Sequence, residues 1–220
     1  MKARARFELL TYWHAGTGRG DGERADAVVQ RTADGLPFLP GRTVKGLLRH
    51  AVELGRRVGM GIQHEDVVRW FGSAIEGPSD TEDRVDRLEA ARFSTREGVL
   101  RVGSAELGAD WAAWARSVGS AARSVARAHG DDPALAQVPE LAPLFATLAS
   151  TSISETGVAA ERTLRTLEVA VPMALVAELE GPDGDGWLAA LQRVSPFLRA
   201  LGSGRNRGLG RVALTLEEAR

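Results

Sequence analysis

"LPFLPGRTVKGLLRH" (residues 36–50) is an extended segment bracketed by Pro37 and Pro40 that turns into a helix. Proline fixes the extended entry and then yields to a helical run. From about residue 43 to 57, Val44, Leu47, Leu48, Ala51 and Leu54 recur at three- and four-residue intervals, which buries one helical face. Arg42, Lys45 and Arg49 fall on the other side, and Lys45 is one of only two lysines among 28 basic residues. A helix N-terminus offers unpaired N–H donors and a partial positive charge. With Arg42 and Lys45 added, the start reads either as an anion site or as a solvated basic face.

Outward from this helix the chain alternates strand and helix signals. Residues 2–13 alternate loosely and predict an opening strand; 14–26 form a polar, glycine-rich loop. "AVVQRTADGLPFLP" predicts a short strand, an Asp-Gly turn and the extended entry. "EDVVRWFGS" predicts a short helix stopping at Gly72, and the acidic stretch 74–86 predicts a loop. "RLEAARFS" and "GVLRVGSAEL" are candidates for paired strands. Residues 108–149 are alanine-rich and predict helix, with Trp111, Trp114, Val118, Ala121 and Val125 as its buried stripe. Residues 164–180 give the strongest strand signal in the chain. "DGWLAALQRVSPFLRALG" predicts a helix with Asp185 as N-cap, divided or kinked at Pro196 and stopped by Gly202. A last strand follows.

Without insertions the order is that of an α+β ferredoxin-like βαββαβ core, with two helices on one face of a four-stranded sheet. The other face is then free for a ligand, the arrangement RNA-recognition domains use. We expect one domain over 1–220, with its core at about 1–107 and 164–220 and an insertion at about 108–163.

Bulk composition excludes several classes. Hydrophobic content of 44% and charged content of 26% are ordinary for a globular protein. No cysteine is present, so disulfides and thiolate metal sites are excluded. The first residues lack the apolar run of a signal peptide and no segment is long enough for a membrane helix, so we expect a cytoplasmic protein. A net charge of −1 argues against a uniformly basic coat but leaves room for a local basic surface.

The second motif is "LGSGRNRGLGRV" (201–212). Gly202, Gly204, Gly208 and Gly210 let the backbone approach a ligand, and Arg205, Arg207 and Arg211 supply fork-shaped charge suited to phosphate. No Lys-Ser or Lys-Thr follows the glycines, which excludes a P-loop. Arg207 occupies the third-glycine position of a dinucleotide fingerprint, and a strand follows instead of a helix. A flexible solvated turn is the plainer alternative. His14, His50, His64 and His129 show no metal-ligand spacing; His14, at a strand end beside glycines, is the one with a candidate chemical role. Asp21, Glu23 and Asp26 crowd one loop, where a carboxylate could hold Mg²⁺ or orient an attacking hydroxyl.

Taken together, "YWHAGTGRGDGERADAVVQRTADGLPFLPGRTVKGLLRHA", "WFGS" and "LGSGRNRGLGRV" resemble the RAMP proteins of type III CRISPR effector complexes, the Csm and Cmr class. "ISETGVAAERTLRTLEVAVP" resembles that family's thumb-like hairpin. The resemblance implies a backbone subunit that stacks with copies of itself and with other RAMP subunits along a guide RNA. Arg42, Thr43, Lys45 and Arg49 would grip the RNA from one side and Gly204, Arg205, Asn206, Arg207 and Gly208 from the other, with His14 a further RNA-binding residue. Asp26 aligns with the aspartate that such subunits use for metal-dependent cleavage of target RNA, with a weakly held Mg²⁺ as cofactor. The resemblance also admits a non-catalytic capping or scaffold subunit, or a metal-independent endoribonuclease that processes the guide precursor through His14.

Overall fold

The computed structural model describes residues 1–20, 25–73, 96–128, 138–153, 157–158, 160 and 162–219. Strand β1 (Lys2–Leu9) alternates strictly, burying Ala3, Ala5, Phe7 and Leu9. Its Arg, Lys and Glu side chains take the opposite face, so one sheet surface must be covered. Helix α1 (Gly41–Arg57) does this with Val44, Leu48, Ala51 and Val52. Helix α2 (His64–Phe71) follows, capped by Gln63 and Asp66, and it stops at Gly72, where the sequence predicts its end. The short strand β2 (Arg101–Val102) leads to helix α3 (Ala109–Ala128) and a 3₁₀ turn over Pro139–Leu144. Strands β3 (Phe145–Ser150) and β4 (Arg165–Ala170) form an antiparallel hairpin. Strand β5 (Ala174–Glu180), helix α4 (Trp187–Val194) and strand β6 (Val212–Glu218) complete the chain.

The four-stranded sheet has the order β2-β5-β1-β6, and each adjacent pair is antiparallel. This is the ferredoxin-like arrangement, with α1 and α4 packed on one face. Gly55 marks their close approach, since a Cβ there would lie 2.5 Å from Val194 Cγ1. Trp187, Leu191 and Val194 join Phe7, Leu48 and Leu175 in a single core.

Several local expectations differ from the fold. The run 164–180 is not one strand. Pro172 has no N–H to give a ladder, and the chain passes there from the hairpin sheet to the central sheet. Residues 108–149 are not one helix: α3 covers Ala109–Ala128, Pro139–Leu144 form a 3₁₀ turn and residues 145–150 are strand, while 129–137 lie outside the described residues. On α3, Ala115 and Gly119 face inward, whereas Trp111, Trp114, Ala121 and Val125 are exposed. Asp185 does not cap α4. Gly186 takes the N-cap position, and the Asp185 carboxylate instead pairs with Arg69 and accepts a hydrogen bond from Trp70 Nε1. Pro196 does divide the segment, placing a 3₁₀ turn over Ser195–Phe197. "RLEAARFS", the 74–86 loop and His129 lie outside the described residues.

The uncovered sheet face differs from an RNA-recognition platform. Lys2, Arg4 and Arg6 stand opposite Glu180, Glu178 and Val176 on one side; Arg4 and Arg6 also oppose Glu217 and Thr215 on the other. Among the described residues this face carries no aromatic ring, and its cations are offset by carboxylates. Base stacking there has no partner.

Candidate nucleic-acid interface

The glycine-rich loop is a fixed object. Leu201 N–H donates to the Gly210 carbonyl, Ser203 N–H to the His14 carbonyl and Gly210 N–H to the Tyr12 carbonyl, at 2.9, 2.9 and 2.7 Å. Both feet of the loop are thus tied to residues 12–14. The close approach requires glycine. A Cβ at Gly202 would strike the His14 carbonyl, one at Gly210 the Leu201 carbonyl, and both residues have φ near +70°. Between the feet, Arg205–Arg207 make one 3₁₀ turn flanked by left-handed Gly204 and Gly208. Arg205, Asn206 and Arg207 are exposed at its apex, and none forms an ion pair with a described residue. Pinned feet and unpaired guanidinium groups make a surface preorganised for phosphate oxygens.

His14 is the seat of this loop and not a surface group. It is 4% exposed. Its Nδ1 lies 2.7 Å from the Glu168 carbonyl, which can only accept, so Nδ1 carries the proton. Gly16 leaves room for the ring, because a Cβ there would lie 2.5 Å from His14 Nε2.

Asp26 is held at the root of the hairpin. Its N–H donates to the Thr166 carbonyl at 2.9 Å. The Thr166 N–H and hydroxyl both donate to Asp26 Oδ2, at 2.6 and 3.2 Å. The carboxyl titrates below its ordinary range, first because of the Thr166 amide, then the Thr166 hydroxyl, with the Arg165 charge assisting against slight desolvation. The group is exposed and ionised. The next residues run along β4, with a parallel bridge from Ala27 to Leu167. Val29 N–H and Arg31 then occupy the two oxygens of Glu168, and the Arg31 guanidinium also stacks 3.7 Å above Phe145. Asp21 and Glu23 lie outside the described residues, among which no group of three His, Asp or Glu side chains could hold a metal ion.

The start of α1 is partly satisfied. Gly41 N–H donates to Ser104 Oγ at 3.2 Å and Thr43 N–H to the Pro40 carbonyl at 2.8 Å. The Arg42 amide has no partner among the described residues, and the first turn has no acidic residue. Arg42 is exposed, Thr43, Lys45 and Arg49 are half-buried, and none of the three cations is in an ion pair with a described residue. Their three- and four-residue spacing gives one basic stripe.

The predicted residues therefore fall into two groups. Strand β4 gathers the first: Thr166 holds Asp26, Leu167 borders the glycine-rich loop, and Glu168 holds His14. The second, the α1 stripe, begins beside Val102–Ala105, and no hydrogen bond or ion pair among the described residues joins it to the loop. Glu168 and Leu167 escaped the sequence reading. Their only signal is the alternation of "RTLEVA", which any strand shows.

No curated protein is significantly similar in sequence. Two solved structures align with 98% of this chain and 97% of theirs at 13% identity: a type III-B Cmr-beta complex bound to cognate target RNA, TM-score 0.63, and the same kind of complex in the apo state, TM-score 0.59. At that identity they establish a shared fold. The model of the RAMP superfamily matches residues 6–213, nearly the whole chain, and the protein belongs to that superfamily.

Proposed function

We propose that the protein is a subunit of a type III CRISPR effector complex that binds guide RNA through its sugar–phosphate backbone. The pinned glycine-rich loop with exposed Arg205, Asn206 and Arg207 carries this reading. Arg42, Thr43, Lys45 and Arg49 supply a second cationic stripe for the same strand. Contacts of this kind fix register without reading bases, which suits a protein whose specificity comes from guide–target pairing. Membership of the RAMP superfamily supports the reading, as does the likeness in fold to a complex described with target RNA. In it the chain is a single cytoplasmic domain that stacks with copies of itself and other RAMP subunits, its β3–β4 hairpin acting as the thumb.

In the fuller form of this reading the subunit cleaves target RNA at Asp26. An exposed, ionised carboxylate fits one corner of a Mg²⁺ site. Mg²⁺ commonly takes one or two carboxylates and completes its shell with phosphate oxygens and water. A single Asp26 therefore requires RNA to complete the site, in keeping with a weakly held ion. The ion would supply charge neutralisation at the scissile phosphate; Asp26 itself would orient the attacking hydroxyl. One observation favours a second, non-catalytic reading: Asp26 Oδ2 already accepts two hydrogen bonds from Thr166. Processing of the guide precursor through His14 is the least favoured, since that ring is buried and its Nδ1 is engaged.

A salt titration of single-stranded RNA binding tests the central claim. Arg205→Ala/Arg207→Ala should weaken binding and flatten the log K against log salt slope by about 1.4. An unchanged slope removes the loop from the interface. In the assembled complex, Asp26→Ala should abolish chelator-sensitive target cleavage and leave RNA binding intact. Unaltered cleavage would leave a scaffold subunit.

A further inference from the structure

The stripe on α3 whose spacing predicts burial is the one the fold leaves outside. Trp111, Trp114, Val118, Ala121, Val125 and Ala128 recur at alternating three- and four-residue steps, the a and d positions of a helical heptad. They run for about 25 Å along the helix. Trp111, Trp114 and Val125 are 44%, 38% and 48% exposed, and Val118 is half-buried. The two tryptophans support each other edge-to-face, so they stand out as an ordered ridge.

Charge keeps away from this stripe. Ser117, Ser120 and Ser124 form its outer flank. Arg116 lies round the helix on the other side, where it pairs with Asp34. Among the described side chains the nearest charges stand at opposite ends, Asp110 in the first turn and Arg127 in the last. Neither is in an ion pair with a described residue. Burial of the hydrated rings would be favourable. An RNA strand or an anionic membrane surface would ask for cations along the stripe, and the stripe itself holds none.

The stripe is complementary to itself. Laid antiparallel on a second α3, its a and d positions meet in layers. Trp111 faces the second copy's Ala128, Trp114 its Val125 and Val118 its Ala121, and the two-fold axis repeats these contacts. Every layer sets a larger side chain on a smaller one, which lets the helices interdigitate. The same arrangement brings Asp110 alongside the second copy's Arg127 at both ends. A parallel pair would instead set Trp on Trp and Asp110 on Asp110.

We infer that α3 is a two-fold contact surface, joining two copies of this chain through an antiparallel α3–α3 pair. Both copies use the same face, so the contact closes at two. Head-to-tail stacking along a guide RNA would use other faces, and the two claims stand or fall separately.

Sedimentation velocity of the full chain, freed of nucleic acid and followed from low to high micromolar concentration, should show a reversible monomer–dimer equilibrium. Trp114→Ala should raise the dissociation constant at least about thirtyfold, since each dimer loses two covered rings. Because Trp114 is exposed, its loss leaves the monomer folded. Asp110→Arg should raise the constant about fivefold, and Asp110→Arg/Arg127→Asp should restore it. Cross-linking reads the register, since the chain has no cysteine of its own. Mixed Val118→Cys and Ala121→Cys proteins, under a mild oxidant, should form the mixed dimer faster than either forms a dimer with itself. A chain that stays monomeric over the whole range, or a dimer unmoved by Trp114→Ala, overturns the contact. Same-residue cross-links that outrun the mixed one overturn the antiparallel pairing and the inference with it.

Discussion

The ferredoxin-like core and the inserted α3–hairpin unit obey the same hydrophobic rule with opposite results. In the core the largest apolar groups go inside: Phe7, Trp13, Leu48 and Trp187 are fully buried. In α3 the small residues go inside. Ala115 and Gly119 face the protein, while Trp111 and Trp114 stack edge-to-face at 5.5 Å on the outside, 44% and 38% exposed. Periodicity therefore identifies an amphipathic helix but not which stripe meets the rest of the chain. A sheet face offers room for large side chains, whereas the helix lies close against Leu36 and Leu141, where only small residues fit.

Replacing one tryptophan from each region gives the largest separation. Trp13→Ala should cost about 3–5 kcal/mol of stability in urea melts, because it empties a fully buried site. It also removes the Nε1 hydrogen bond to the Val171 carbonyl. Trp111→Ala should cost about 1 kcal/mol or less, since it removes half-exposed surface and one ring contact. Similar losses for both would mean that α3 is packed as the core is.

The glycine-rich loop allows a finer comparison within one motif. Gly210→Ala puts a methyl group against the Leu201 carbonyl at positive φ, so the loop must shift and RNA affinity should fall at least tenfold. Gly208 has the same sign of φ but nothing within 4 Å of a Cβ. Gly208→Ala should cost about 1 kcal/mol in stability and leave RNA affinity within about twofold. Equal effects on affinity would show that the feet of the loop do not set its geometry.

How much was legible follows from these cases. β1, α1 and the stop of α2 at Gly72 each carry a local signal that agrees with their final environment: loose alternation, a three-and-four apolar stripe, a glycine. The glycines of the 202–210 loop were legible too, because positive φ leaves a compositional mark. Pro172 was visible, but nothing local says that the chain changes sheets there. Asp26 was legible as a carboxylate in a loop. Its partner Thr166 lies 140 residues away, and only the fold brings them together. His14 drew attention as a possible chemical group, and burial against Glu168 gave it a different task.

The Asp26–Thr166 tether joins the two regions, and its pH dependence should be the smallest effect. The Thr166 amide and hydroxyl hold the Asp26 carboxyl below the ordinary aspartate range in the folded chain. A depressed carboxylate contributes stability above the unfolded-state value and loses it as pH falls through the folded-state value. Asp26→Asn keeps an oxygen that can accept from Thr166 but has no charge to titrate. The wild type should therefore exceed Asp26→Asn in stability near neutral pH, and the gap should close as pH falls below about 4. Thr166→Val removes the hydroxyl but not the amide, the larger cause, so the Asp26 titration should rise only part of the way to its ordinary value. Carboxyl-carbon NMR through the acid range reads that directly. Wild-type and Asp26→Asn stability curves that stay parallel from neutral to acid pH would mean that the tether is solvated in solution. The hairpin would then be anchored by its remaining contacts, among them Glu168 with Val29 and Arg31 and the backbone bonds between Trp13 and Ala170.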